Sequence, residues 1–89
     1  MRSKEIVKSV VIFSTTTCSS CRVLMKWLDK ENITYTKKLT DEDDVAMTEF
    51  MNVSEGAIGV PFSVITYESG FETKIHGFYK TKFIEALGL

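Results

Sequence analysis

Apolar residues come along this chain in short blocks, and the spacing within each block predicts an element. Ile6 to Phe13 is β-branched and nearly continuous, which suits a strand buried on both faces in the middle of a sheet. From Cys21 the period changes: Cys21, Leu24, Met25 and Leu28 fall at i, i+3, i+4 and i+7, one stripe of a helix that Asn32 would stop. Ile33 to Leu39 alternates and predicts a second strand. A helix followed so closely by a strand makes a right-handed βαβ crossover, with the first two strands parallel. Thr40 is the expected N-cap of a second helix, with Asp41 to Asp44 in its first turn and Val45, Met47, Phe50 and Met51 as its apolar positions.

Ser54 to Gly59 reads as a loop, and Pro61 to Tyr67 as the third strand. Glu68-Ser69-Gly70 turns the chain into Phe71 to His76, an alternating hairpin partner. Gly77 breaks that strand, and Tyr79, Phe83, Ile84 and Leu87 mark a last helix. The predicted architecture is α/β: a βαβ unit, a helix, a β-hairpin and a helix, merged into one four-stranded mixed sheet with helices on both faces. Residues 1–89 are expected to form one domain.

Composition narrows the function. The chain has 44% apolar and 26% charged residues, enough to bury a core. Its net charge of −1 gives no electrostatic footprint for a phosphate backbone, so no nucleic-acid partner is expected. The opening segment 1–5 and the apolar run broken by Lys8 and Ser9 are too short for a signal peptide, and nothing approaches a membrane span. A soluble, cytoplasmic, monomeric protein is the expectation. There, two cysteines set close together are redox-active or metal-binding rather than a structural staple.

Cys18-Ser19-Ser20-Cys21 lies where the first strand hands over to the first helix. Cys18 would sit at the helix N-terminus, where unpaired N–H groups and the positive dipole end favour a thiolate, and Arg22 adds positive charge nearby. Cys21, one turn deeper, would be the more buried thiol. Cys18 is therefore the expected nucleophile and Cys21 the resolving thiol of a dithiol–disulfide exchange. With one histidine and two cysteines the chain cannot complete a structural zinc site alone; zinc would need a dimer sharing four thiolates. No metal and no cofactor are expected. Pro61, the only proline, opens the third strand and taken alone reads as an ordinary strand-start proline; together with the cysteine motif it predicts a cis Val60–Pro61 bond that places the Val60 backbone beside the cysteines, ready to pair with an extended substrate.

Taken together, Val11-Ile12-Phe13-Ser14 leading to Cys18-Ser19-Ser20-Cys21, then Val60-Pro61-Phe62 and Gly77-Phe78, resemble the thioredoxin superfamily and its glutaredoxin-like branch. The resemblance implies a thioredoxin-like fold and a thiol–disulfide oxidoreductase, with Val60, Pro61, Phe62, Gly77 and Phe78 around the substrate. Ordinary glutaredoxins carry a basic residue three positions before the first cysteine, where this chain has Thr15, and Pro-Tyr between the cysteines, where it has Ser19-Ser20. They follow the last strand with paired glycines and an aspartate, where this chain has Gly77-Phe78-Tyr79-Lys80. These departures disfavour glutathione, and Gly77-Phe78 is more similar to NrdH redoxins. That likeness implies thioredoxin reductase as reductant and ribonucleotide reductase as the protein disulfide substrate, although NrdH redoxins commonly have Arg-Pro after the Gly-Phe. Two alternatives stand beside it: a glutathione-dependent glutaredoxin, and a redox-switch binding protein similar to Spx, whose opening Thr17 to Arg22 resembles.

Phe62 and Phe78 are further expected to form an exposed apolar rim near Cys18, and Trp27, Phe50 and Phe83 to pack. His76 reads as a solvated strand histidine.

Overall fold

A computed structural model describes residues 6–56 and 59–89. The charged opening segment 1–5 and positions 57 and 58 of the glycine loop lie outside the described residues. The elements run β1 (Val7–Ser14), α1 (Ser19–Lys30), β2 (Thr36–Leu39), α2 (Asp44–Val53), β3 (Phe62–Tyr67), β4 (Glu72–His76) and α3 (Lys80–Leu87). The sheet order is β2-β1-β3-β4. β1 pairs parallel with β2 and antiparallel with β3, and β3 pairs antiparallel with β4. This is the expected four-stranded mixed sheet.

Strand alternation divides the core in two. Val10 and Ile12 of β1, Ile65 and Tyr67 of β3 and Ile75 of β4 face one side, where Leu24 and Leu28 of α1 and Phe83 of α3 cover them. Phe13, Phe62 and Val64 face the other side and pack on Phe50 of α2. Thus α1 and α3 share one face of the sheet and α2 holds the other.

α1 ends where the sequence puts the stop. Asn32 takes a positive φ of 62°, its N–H donates to Asp29 O, and the Ile33 N–H donates to Leu28 O. This pair of bonds is the Schellman closure of a helix. It also explains why β2 is shorter than the alternation of Ile33 to Leu39 predicts. Ile33 is occupied in closing the helix, and pairing with β1 begins only at Val11 and Thr36.

The start of α2 corrects the sequence expectation more sharply. Thr40 is not the N-cap. It is buried, and both its N–H (2.9 Å) and its hydroxyl (3.3 Å) donate to Ser14 O, tying the end of β2 to the end of β1. Asp43 caps α2 instead, its carboxylate accepting from the Val45 N–H at 3.0 Å. Ala46 and Phe50 face the sheet, whereas Val45, Met47 and Met51 are 67%, 40% and 46% exposed. Tyr79 is likewise not part of the buried stripe of α3: it is the N-cap residue, exposed, with the Lys82 ammonium over its ring.

Candidate active site

β1 delivers the chain to its cysteines through a short loop, 15–17, that is bonded on both sides. Asp41 accepts from the Thr16 N–H at 3.1–3.2 Å and from its hydroxyl at 2.7 Å. The Arg22 guanidinium donates to Thr16 O at 3.4 Å. These hydroxyl and amide bonds hold the Asp41 carboxyl below its ordinary range, the Thr16 hydroxyl contributing most. A carboxyl so lowered supports the native loop above its ordinary titration range and loses that support as pH falls through its lowered value. The tether is therefore intact across neutral pH and opens only in acid. We expect Asp41→Ala to speed hydrogen exchange of the Thr16 amide at neutral pH, with Asp41→Asn intermediate because it keeps an acceptor oxygen. An unchanged exchange rate in both variants would show that the tether does not hold the loop.

Cys18 is the N-cap residue of α1, with extended backbone at φ −86° and ψ 109°. Its sulfur takes the place a capping oxygen would hold, accepting from the Cys21 N–H at 3.1 Å. The Ser20 hydroxyl lies 3.5 Å from the same sulfur. In the disulfide that sulfur carries no proton, so Ser20 is the donor. Reduction leaves both donors and the helix N-terminus aimed at Cys18, an environment that favours a thiolate. Arg22 engages the Thr16 carbonyl.

Cys18 and Cys21 are joined as a disulfide with Cα atoms 5.3 Å apart, within the ordinary range for a bridge. Cys18 is half-buried and Cys21 has no exposed surface. Only the first sulfur is open to a partner.

The far wall of the site comes from the segment before β3. The Val60–Pro61 bond is cis, and Val60 O lies 3.8 Å from Cys18 Sγ. Pro61 is buried, and its carbonyl accepts from the Gly77 N–H at 2.8 Å, which extends the β3–β4 ladder by one residue. Gly77 has φ +96°, where any side chain is strained, and a Cβ there would stand 3.0 Å from the Tyr79 ring and oblige that exposed ring to shift. Phe78 follows, half-buried, its ring 5.9 Å from Trp27 and 5.8 Å from Phe83.

Contacts thus join Cys18 to Val60 and Pro61 to Gly77, whereas Phe78, next in the chain, turns its ring to Trp27 and Phe83. Phe62 takes no part in these contacts. It is 5% exposed and packs on Phe50 with ring centroids 5.8 Å apart, so the expectation of an exposed rim residue is wrong for it. The reason is alternation: the residue after buried Pro61 points through the sheet toward α2. His76 is exposed as expected, but it also borders the loop into Pro61, its Nε2 3.4 Å from where a Cβ of Gly59 would lie. The Asp41–Thr16 tether was missed from sequence, since a run of acids before a helix offers no signal of which one leaves the helix; sequence left open whether Ser19 and Ser20 bond Cys18 or cap the helix, and it is Ser20 that lies against the sulfur. Among the described residues no three His, Cys, Asp or Glu side chains gather as a metal cluster. Nor is any helix there long and apolar enough to cross a membrane.

The glutaredoxin family model matches residues 10–65, from mid-β1 through the cysteines and Pro61 into β3. The chain belongs to the glutaredoxin family. With its Cys-x-x-Cys pair bonded at the mouth of α1, this glutaredoxin-family protein is a thiol–disulfide oxidoreductase. Solved structures share its fold. The thioredoxin-like protein BC3987 superposes with a TM-score of 0.75 at 19% identity, covering 89% of this chain and 100% of that one. A mutant of that protein gives 0.76 at 18%, covering 91% and 96%. The glutaredoxin grx-1 of Archaeoglobus fulgidus gives 0.71 at 19%, covering 89% and 85%. At such identities the likeness concerns the fold alone. No curated protein sequence matches the chain.

Proposed function

We propose that this glutaredoxin-family protein is an electron donor of the NrdH-redoxin type, reduced by thioredoxin reductase and reducing a protein disulfide, that of ribonucleotide reductase. The observation that carries this reading is the segment joining β4 to α3. Where glutathione-using relatives place paired glycines and an aspartate, this chain has Gly77-Phe78-Tyr79-Lys80, and Tyr79 gives α3 no side-chain cap bond. Thr15 in place of a basic residue supports the same reading. The site then offers little to hold glutathione carboxylates and an aromatic surface to receive a protein. Such an exchanger works in the cytoplasm, where reductases keep thiols reduced.

In the reaction the Cys18 thiolate attacks a substrate disulfide. A Cys18–substrate bond forms, the substrate S–S bond breaks, and the leaving sulfur takes the electron pair and then a proton. Cys21, having lost its proton, attacks Cys18 sulfur, closing the Cys18–Cys21 disulfide and releasing the second substrate thiol. Thioredoxin reductase returns two electrons and two protons.

The test follows NADPH oxidation with a protein disulfide, supplying either thioredoxin reductase or glutathione with glutathione reductase. Turnover with the first alone supports the proposal. Turnover with the second alone would make the protein a glutathione-dependent glutaredoxin, and activity with neither would favour a redox switch. Phe78→Ala should lower kcat/KM for the protein disulfide about tenfold, the loss of one interface anchor, while a small disulfide reacts as before. Equal losses on both substrates would show that Phe78 only packs.

A further inference from the structure

Ser63 has no exposed surface, and its hydroxyl has no hydrogen-bond partner among the described residues. A hydroxyl buried in this way bears its full desolvation cost without return, and alanine would avoid it. Its position in the fold indicates what the hydroxyl faces. Ser63 lies in β3 opposite Ile12 of β1 and Ile75 of β4, both in the core layer covered by α1 and α3. Two residues further along the same face is Ile65, which packs in that layer with Leu24 and Leu28 of α1. α1 begins at the end of the sheet where Phe13 pairs with Phe62, so it runs in the direction of β3. One turn before Leu24 on the buried stripe is Cys21; two residues before Ile65 is Ser63. Helix stripe and strand face therefore bring the wholly buried resolving cysteine and the wholly buried orphan hydroxyl to the same level of the same layer.

We propose that the Ser63 hydroxyl is the hydrogen-bond partner of the Cys21 sulfur in the reduced protein, and so sets the reduction potential of the pair. When a reductant thiolate attacks Cys18, a bond forms between those two sulfurs and the Cys18–Cys21 bond breaks. The electron pair goes to Cys21 sulfur. Ser63 donates a hydrogen bond to that thiolate without giving up its proton; the proton that completes the thiol comes from solvent. Attack by the second reductant thiol then frees Cys18. The hydroxyl is unsatisfied in the disulfide and satisfied in the dithiol, which favours reduction. This inference rests on dithiol exchange at Cys18 and Cys21 and not on which reductase or partner the protein serves.

The test equilibrates wild type, Ser63→Ala and Ser63→Thr with dithiothreitol redox buffers and reads the reduced fraction by thiol alkylation. Ser63→Ala should be about tenfold harder to reduce, about 30 mV more negative for a two-electron couple. Ser63→Thr, which restores the hydroxyl, should stay within about twofold of wild type. Thermal melts should show Ser63→Ala gaining stability in the disulfide form relative to the dithiol form. A hydroxyl that only fills space would affect both forms alike, so an unchanged equilibrium overturns the proposal. A shift in the opposite direction, or a Ser63→Thr protein that behaves like Ser63→Ala, overturns it too. Wild-type protein that fails to cycle in these buffers would instead remove dithiol exchange itself, a failure visible before any variant is compared.

Discussion

Cys21→Ser is expected to stop dithiol turnover, with a loss of about 10³-fold or more, and to accumulate a mixed disulfide between Cys18 and its substrate. The asymmetry of the two sulfurs dictates this outcome. Cys18 is half-buried at the N-cap, where its sulfur takes the Cys21 N–H at 3.1 Å and faces the Ser20 hydroxyl, so it remains able to attack when its neighbour is gone. Cys21 has no surface, and its replacement removes only the group that releases the adduct. Cys18→Ser should be inactive and form no adduct. The measurement is mass spectrometry of the protein after exposure to a disulfide substrate, with the bridged cysteine located by peptide mapping. Adducts running through Cys21 would reverse the two roles.

Phe83→Ala should be the most damaging single change in the core. Phe83 has no exposed surface and contacts the rings of Trp27 at 6.3 Å and Phe78 at 5.8 Å. Truncating such a ring costs about 3–5 kcal/mol. A domain of this length has roughly 0.05–0.15 kcal/mol per residue in total, so the loss takes a large share of its stability. The melting temperature should fall by about 15–30 °C. Urea denaturation would show a lower midpoint at constant slope. A shift worth less than about 1 kcal/mol would mean that the α3 face repacks around the gap. Phe78 leans on the same ring, so the segment joining β4 to α3 should loosen with the core.

How far the sequence could be read depended on where the information lay. The strand β1, the stripe of α1, the stop at Asn32, the hairpin and the Cys-x-x-Cys pair all follow from near neighbours in the chain, where period and cap chemistry act within one or two turns. The family resemblance added the link between cysteines and Val60-Pro61, which local period alone does not give. The failures have a different origin. Asp41 and Asp43 are equally good caps by composition, and only the position of Thr16 assigns the first to a loop and the second to the helix. Thr40 carries capping chemistry but is used by a carbonyl twenty-six residues away. Phe62 is apolar and adjacent to Pro61, yet the sheet turns it toward Phe50.

By itself the sequence determined the order of elements, the parallel unit joined to a hairpin, and the chemistry at the start of α1. These depend on backbone preference and on the arrangement of polar and apolar side chains within a few residues. Tertiary structure decided which face each strand residue serves, which acid caps α2, how Gly77 joins Pro61 and where Ser63 is left without a partner. Those outcomes arise from pairing between segments distant along the chain, and the register of that pairing is fixed only when the whole sheet closes against its helices.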